Sequence, residues 1–213
     1  PQLGGRTGVK QGVEWVAAGG PEDQLDRELG LRRAQAATLL LLGLPGSTYL
    51  YQGEELGLQE VADLPPEALQ DPIWLRTLNT KKGRDGSRVP LPWTAEGETY
   101  GFGSGASWLP QPTDWSRTAV DRQVGDDTST LELYRSALRT RRALQTEETL
   151  EFLETGREDV VHFVRPGGWH CVTTFGPEPY ALPAGVVRVA SAPVVDGLLP
   201  GESSAWLTDW PQH

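Results

Sequence analysis

The segment Leu39–Leu58, LLLLGLPGSTYLYQGEELGL, constrains the fold more tightly than any other part of the chain. Its apolar, leucine-rich start has the composition of a buried helix, which Leu44-Pro45-Gly46 stops. The next residues are β-branched and aromatic, so Thr48–Tyr51 is predicted to be a short strand. Gln52-Gly53-Glu54-Glu55 then stands at the carboxyl end of that strand. In barrels of alternating strand and helix, polar residues at the carboxyl ends of strands line the active site. The segment therefore predicts one strand of a catalytic α/β barrel. Such a barrel takes about 250 residues, and the 213 residues here hold one clear barrel strand. The chain starts at Pro1 and contains no methionine, so it is expected to be a piece of a longer protein.

The surroundings extend the pattern. Residues 1–24 are rich in glycine and charge and read as a long loop. From Leu25 to about Leu42 the composition is that of a helix, with Asp23 or Asp26 as its cap. Leu64–Leu75 contains two proline-started helical turns. Residues 77–125 have no sustained periodicity, and so long an irregular stretch in a compact domain is usually functional. A second helix is expected from about Thr128 to Leu144, with Asp126 and Asp127 at its start and Arg141-Arg142 at its end. Beyond it the period changes to two. Val160–Val164, a Pro166-Gly167-Gly168 turn and Trp169–Phe175 predict a β-hairpin, and Val186–Ala190 and Ala205–Thr208 further strands. The expected organisation is the end of an α/β barrel over residues 1–145 and an all-β domain over residues 146–213.

Charge narrows the partner. Lys and Arg total 19 against 29 Asp and Glu, a net charge of −10. That balance disfavours nucleic acid and anionic membrane surfaces and favours a neutral or cationic partner. With Cys171 as its one cysteine the chain forms no internal disulfide, which points to a reducing, cytoplasmic setting. No apolar run is long enough to span a bilayer, and the N-terminus has no signal-peptide pattern.

The order of helix, strand, Gln-Gly-Glu-Glu, Trp/Pro-rich loop, helix and β-domain resembles the carboxyl-terminal third of the α-glucosidases and oligosaccharide glucosidases of the α-amylase superfamily. The resemblance rests on PGSTYLYQGEELGL (45–58), GRDGSRVPLPW (83–93) and GASWLPQP (105–112). DDTSTLELYRSALRTRR (126–142) resembles the family's last barrel helix, and HCVTTFG (170–176) a core strand of its β-domain. It covers roughly residues 25–213. It implies that 25–43 is the seventh helix of a (β/α)8 barrel and Thr48–Tyr51 the eighth strand. Loop 52–125 would roof the active site, and 146–213 would form a β-sandwich. The implied partner is an α-linked gluco-oligosaccharide, and no cofactor or metal is implied. The family cleaves α-glucosides with retention, which needs a carboxylate nucleophile and a carboxylic acid about 5–5.5 Å apart. These follow the fourth and fifth strands in the family, and a third carboxylate, in an Asn-His-Asp word, follows the seventh. The chain has no Asn-His pair, so all three are expected upstream of Pro1 and no catalytic residue is assigned here.

For substrate binding the candidates are Arg88 and Gln52. Arg88, in Arg-Val-Pro-Leu-Pro-Trp, offers a rigid fork of donors suited to sugar hydroxyls; the alternative is a structural pairing, with Asp85 as one partner. Gln52 stands where a strand end would deliver a hydrogen bond. Glu54 and Glu55 are adjacent, so on a strand they point to opposite sides and cannot flank one bond. Trp93 and Trp108 are the tryptophans placed to stack on sugars, whereas Trp74, Trp169 and Trp206 sit among apolar neighbours and read as core. His162 and His170 are expected to face each other across the hairpin in a packing role, and Cys171 to be buried and inert. Gly46, Gly53 and Gly57 are read as backbone devices. Rival readings are a transglycosylating isomerase of the trehalose- or isomaltulose-forming type, a non-catalytic scaffold relative and a free-standing sugar-binding β-module at 146–213.

Overall fold

A computed structural model describes residues 9–209. The helices are α1 (Val9–Ala17), α2 (Arg27–Gly43), α3 (Pro72–Arg76), α4 (Val120–Gln123) and α5 (Thr130–Leu144). The strands are β1 (Glu151–Phe152), β2 (Val160–Arg165), β3 (Trp169–Thr174), β4 (Tyr180–Ala181), β5 (Val186–Ala190), β6 (Leu198–Leu199) and β7 (Ser204–Thr208). The chain separates into two compact units. One contains the residues up to Gly30 and Leu50–Leu131; the other contains Leu31–Tyr49 and the residues from Glu132 onward.

The first unit is built largely from turns, and its apolar centre is Val61, Leu64, Leu69, Val89, Leu109 and Trp115. With so little ladder structure, its backbone groups pair through turns and single cross-loop bonds, such as Val61 N–H to the Gly86 carbonyl at 3.0 Å, and side chains satisfy others, as burial requires. Gln111 donates through Nε2 to the carbonyls of Pro90 and Thr99 at 2.9 and 3.2 Å. Gln123, itself buried, donates to Leu56 and Thr118 and accepts from the Leu131 amide. The loop expected over residues 1–24, of which 1–8 lie outside the described residues, holds the helix α1 instead of being irregular from residue 9 to 17. Trp15 explains the difference: it is 4% exposed, and its indole donates to the Pro21 carbonyl at 3.2 Å. Tertiary burial of one large side chain outweighs the poor helix propensity of Gly12. At the start of α2 the expected cap is found on Asp26, whose carboxylate accepts the Leu29 amide at 2.9 Å. The proline-started turns at 64–75 are a 3-10 turn at Pro66–Ala68 and α3.

The second unit carries a five-stranded antiparallel sheet in the order β1-β2-β3-β7-β5. Register places Phe163, Cys171 and Trp206 side by side on one face, against Leu39 and Leu42 of α2 and Ala137 of α5. Trp206 ties sheet to helix through its indole, which donates to the Leu39 carbonyl at 3.0 Å. Gly43 permits this closeness, since a Cβ there would stand 3.1 Å from Phe163 and 3.2 Å from the Cys171 sulfur. Val172, Ala205 and Leu207 turn to a second cluster with Val160 and Leu199, the latter on the small β4–β6 sheet. The predicted hairpin and the strands near 186–190 and 205–208 are therefore present. Trp169 and Trp206 are core, at 1% and 0% exposure.

The predicted strand Thr48–Tyr51 is not formed. Residues 47–51 are without regular structure, and Tyr49 is 91% exposed. A strand exists only through its ladder, and among the described residues no strand pairs with this segment.

Candidate functional site

The sequence candidates lie in the first unit, on the loop that follows Gln52. At its base, two buried aspartates divide the work. Asp85, 2% exposed, directs Oδ2 at the backbone amides of Gln70 and Asp71, which donate at 2.7 and 2.8 Å. Those bonds fix the peptide that carries Asp71. Asp71, 5% exposed, caps α3: its Oδ1 accepts the Ile73 amide at 3.0 Å, with Pro72 at the first helical position. Its other oxygen, Oδ2, accepts from the Arg84 amide at 3.2 Å, Arg84 Nε at 3.4 Å and Arg88 Nη1 at 3.4 Å. The Ile73 amide, and after it Arg84 through amide and guanidinium, hold the Asp71 carboxyl below its ordinary value in spite of burial. Asp71 is thus a fixed anion. Gly83 leaves it room: at φ +75° it occupies the left-handed region, and a Cβ there would lie 2.7 Å from the Asp71 side chain.

Arg88 leans on this anion from one side. Its side chain is 34% exposed, and the Asp71 contact uses Nη1; among the described residues no hydrogen bond occupies Nε or Nη2. A guanidinium held at one nitrogen and open at the others can donate to vicinal hydroxyls or to a carboxylate. Of the structural pairings considered for Arg88, the one with Asp85 does not occur, because Asp85 is committed to backbone amides, whereas one with another carboxylate, Asp71, does.

Gln52 is exposed and makes no hydrogen bond to Arg88 among the described residues. The adjoining Tyr51 hydroxyl reaches Ser87 Oγ at 3.5 Å, next to Arg88, so the two candidate segments meet one residue away from each candidate. Glu54 and Glu55 sit on a 3-10 turn, Glu54–Leu56, bracketed by Gly53 and Gly57 at φ +89° and +70°. Glu55 closes that turn by accepting the Gly53 amide at 2.8 Å. Trp93 and Trp108 are half exposed, at 50% and 53%. Trp74 is partly buried against the apolar centre of its unit.

In the second unit, His162 Nε2 and His170 Nδ1 lie 3.0 Å apart, and His170 Nε2 is 3.2 Å from Asp209 Oδ1. Cys171 is fully buried and its thiol is pushed up to about 12, chiefly by burial, so it is not a nucleophile near neutral pH. The residue that sequence reasoning missed is Asp71. Its signal was present in Asp71-Pro72, an N-cap followed by proline, which marks a carboxylate with a fixed direction.

Comparison with known proteins places these features in a lineage. The α-amylase catalytic domain profile matches residues 23–148. A probable α-glucosidase of Rhizobium meliloti is 39% identical over 137 residues, covering 63% of this chain and 24% of that protein. The salivary α-glucosidase of Anopheles gambiae is 28% identical over 207 residues, covering 92% of this chain and 32% of its own length. Among solved structures, the α-glucosyl transfer enzyme XgtA superposes with a TM-score of 0.66 at 34% identity, covering 92% of this chain and 38% of that one. The trehalulose synthase MutB of Pseudomonas mesoacidophila shares the fold, with a TM-score of 0.64 at 21% identity over 83% of this chain and 38% of its own. The chain thus spans between a quarter and two fifths of the length of these relatives. A glycine-bracketed turn after Tyr51, a buried-carboxylate loop carrying Arg88, and a profile match across both agree: the chain belongs to the α-amylase catalytic-domain family.

Proposed function

We propose that the whole protein to which this chain belongs is a retaining α-glucosidase, cleaving terminal α-glucosidic bonds of oligosaccharides in the cytoplasm. In this reading residues 1–145 complete its catalytic barrel and 146–213 form an appended β-sandwich. Arg88 and Gln52 bind substrate, and the nucleophile and acid come from residues outside this chain. The observation that carries the reading is Arg88 itself, anchored on Asp71 at one nitrogen while a third of its side chain faces solvent. Support for the substrate class comes from the relatives, whose names include oligo-1,6-glucosidase and probable α-glucosidase.

The chemistry divides cleanly. A carboxylate displaces the leaving sugar to form a glycosyl-enzyme ester, and the acid gives its proton to the departing oxygen. Water, deprotonated by that same residue, then releases the sugar with its configuration retained. Arg88 belongs to neither step; it holds hydroxyls so that the bond is presented in line. A second reading is supported by the 34% identity to an α-glucosyl transfer enzyme. There a sugar hydroxyl replaces water in the second step, and a new α-linkage forms.

The test uses both lengths of protein. This chain alone is expected to give no turnover of a chromogenic α-glucoside. The whole protein is expected to turn it over, and Arg88→Ala to lower kcat/KM about 100-fold or more, the loss typical of a charged donor at a reacting sugar. Turnover by the chain alone, or an Arg88→Ala variant as active as its parent, defeats the proposal. Product analysis with maltose separates free glucose from a transfer product.

A further inference from the structure

We propose that Asp71 is the positioning residue for Arg88, setting the direction of its guanidinium by charge; this rests on the reading of Arg88 as the sugar-contacting residue. Asp71 is bound on every side before Arg88 arrives. Its backbone amide is held by Asp85, its Oδ1 by the Ile73 amide, and its Oδ2 by the Arg84 amide. Gly83 supplies the space, since any Cβ there would collide with the carboxylate and with Ile73 at 2.6–2.7 Å. What remains is one lobe of Oδ2, which Arg84 Nε and Arg88 Nη1 share at 3.4 Å each.

The two arginines are not equivalent. The Arg84 side chain is 73% exposed and its backbone already satisfies the carboxylate, so its guanidinium is the dispensable partner. The Arg88 side chain is half as exposed, and its Asp71 contact is the hydrogen bond that defines its orientation. A fork of donors selects among sugar hydroxyls only if its plane is fixed. Without an anion behind it, the same guanidinium samples several rotamers and loses selectivity. Capping and orientation are carried by different properties of Asp71: the cap needs an oxygen, the orientation needs a charge. Asn caps a helix as well as Asp does, so Asp71→Asn separates the two.

The experiment is nitrogen-15 NMR of this chain, following rotation about the Arg88 Cζ–Nε bond, with Arg88→Lys identifying its signals. In the unmodified chain, Arg88 is expected to show slow rotation and resolved Nη signals. Asp71→Asn is expected to speed rotation about tenfold, the effect of losing a charge-assisted bond, while the Ile73 amide shift stays in place. Arg84→Ala is expected to leave Arg88 rotation within about twofold of the parent. Equal rotation rates in parent and Asp71→Asn overturn the proposal, as does a larger effect from Arg84→Ala. Should Asp71→Asn misfold, acid titration of the unmodified chain gives the same answer: Arg88 must be released in step with protonation of the Asp71 carboxyl, and release at any other pH overturns the assignment. Maltose is then titrated into the whole protein and into its Asp71→Asn variant. If maltose moves no Arg88 signal while the rotation results hold, the sugar reading fails and the positioning role stands.

Discussion

At the scale of single residues, burial decides which titrating groups matter. His162 is 7% exposed, and burial, with the His170 charge beside it, lowers its affinity for a proton. The sign follows from linkage: between the ordinary histidine value and the lowered one, the unfolded chain binds the extra proton. Stability is therefore full above about pH 6.5 and falls as the pH drops below it. Asp71, Asp126 and Glu148 shift in the opposite sense to an ordinary acid in an apolar site: hydrogen bonds from Ile73, Thr128 and Gly46 respectively lead the lowering. Their contributions are lost as the pH falls from the ordinary carboxylate values through the lowered ones. The two windows are separate. Melting temperature measured from pH 7 to 5 is expected to fall, and His162→Gln to flatten that slope while leaving the acid limb unchanged. An unaltered slope in the variant would show that His162 does not carry the effect. Residues of this kind were only half legible. The facing of His162 and His170 follows from strand period and hairpin turn, but the link to Asp209 depends on how β7 ends against β3, which no local pattern encodes. Arg88 was visible from its motif, whereas its contact with Asp71 was not, because the two lie 17 positions apart and are brought together by the fold of an irregular loop.

At the scale of elements, composition named the pieces and neighbours decided their state. The hairpin β2–β3 and strands β5 and β7 formed where short runs rich in β-branched and aromatic residues followed glycine-containing turns. Thr48–Tyr51 has comparable composition and no ladder, because what makes a strand is the element beside it. Helix ends teach the same lesson. The arginines closing α5 suggest a role at its own carboxyl end, yet Arg141 serves α2. Its guanidinium donates to the Leu42, Leu44 and Gly46 carbonyls, the last two at 2.7 Å, satisfying groups that a helix terminus leaves unpaired. Glu148 completes the knot by accepting the Gly46 amide. Arg141→Ala removes three bonds from a side chain 7% exposed and strands those carbonyls. The expected loss is about 3 kcal/mol in urea unfolding. Arg141→Lys, with a compact charge that cannot span three carbonyls, is expected to recover less than half of it. A loss below about 0.5 kcal/mol for Arg141→Ala, the range of an ordinary surface change, would rule out the cap.

At the scale of the whole molecule, the two units hold their backbones by different means, and that difference predicts their dynamics. In the second unit, β2, β3 and β7 are joined by continuous antiparallel ladders and covered by apolar residues on both faces. Opening one amide there requires breaking a cooperative sheet. In the first unit the equivalent bonds are short turn bonds, single cross-loop backbone bonds such as Val61 N–H to the Gly86 carbonyl and Trp93 N–H to the Tyr100 carbonyl, and bonds from side chains such as Gln111 and Gln123 to single carbonyls. Each opens independently, at a cost near that of one hydrogen bond. Amide exchange is therefore expected to be slowest in 160–174 and 204–208. The loop 93–108, which exposes Trp93, Phe102 and Trp108, should exchange far faster. Residues 47–50, which have no backbone bond to a strand among the described residues, should exchange near the unprotected rate. The irregular unit is also the one that carries Arg88, so the soft frame lies under the proposed binding group. Asp71 and Asp85 are the exception within it, since both are buried and between them accept the amides of Gln70, Asp71, Ile73 and Arg84. Those amides should stand out as a slow island in a fast loop. Mass-spectrometric exchange of this chain tests the contrast directly: uniform protection across residues 50–131 would mean that the unit opens as one body, and an unprotected 70–84 would mean that the aspartate frame does not hold the arginine in solution.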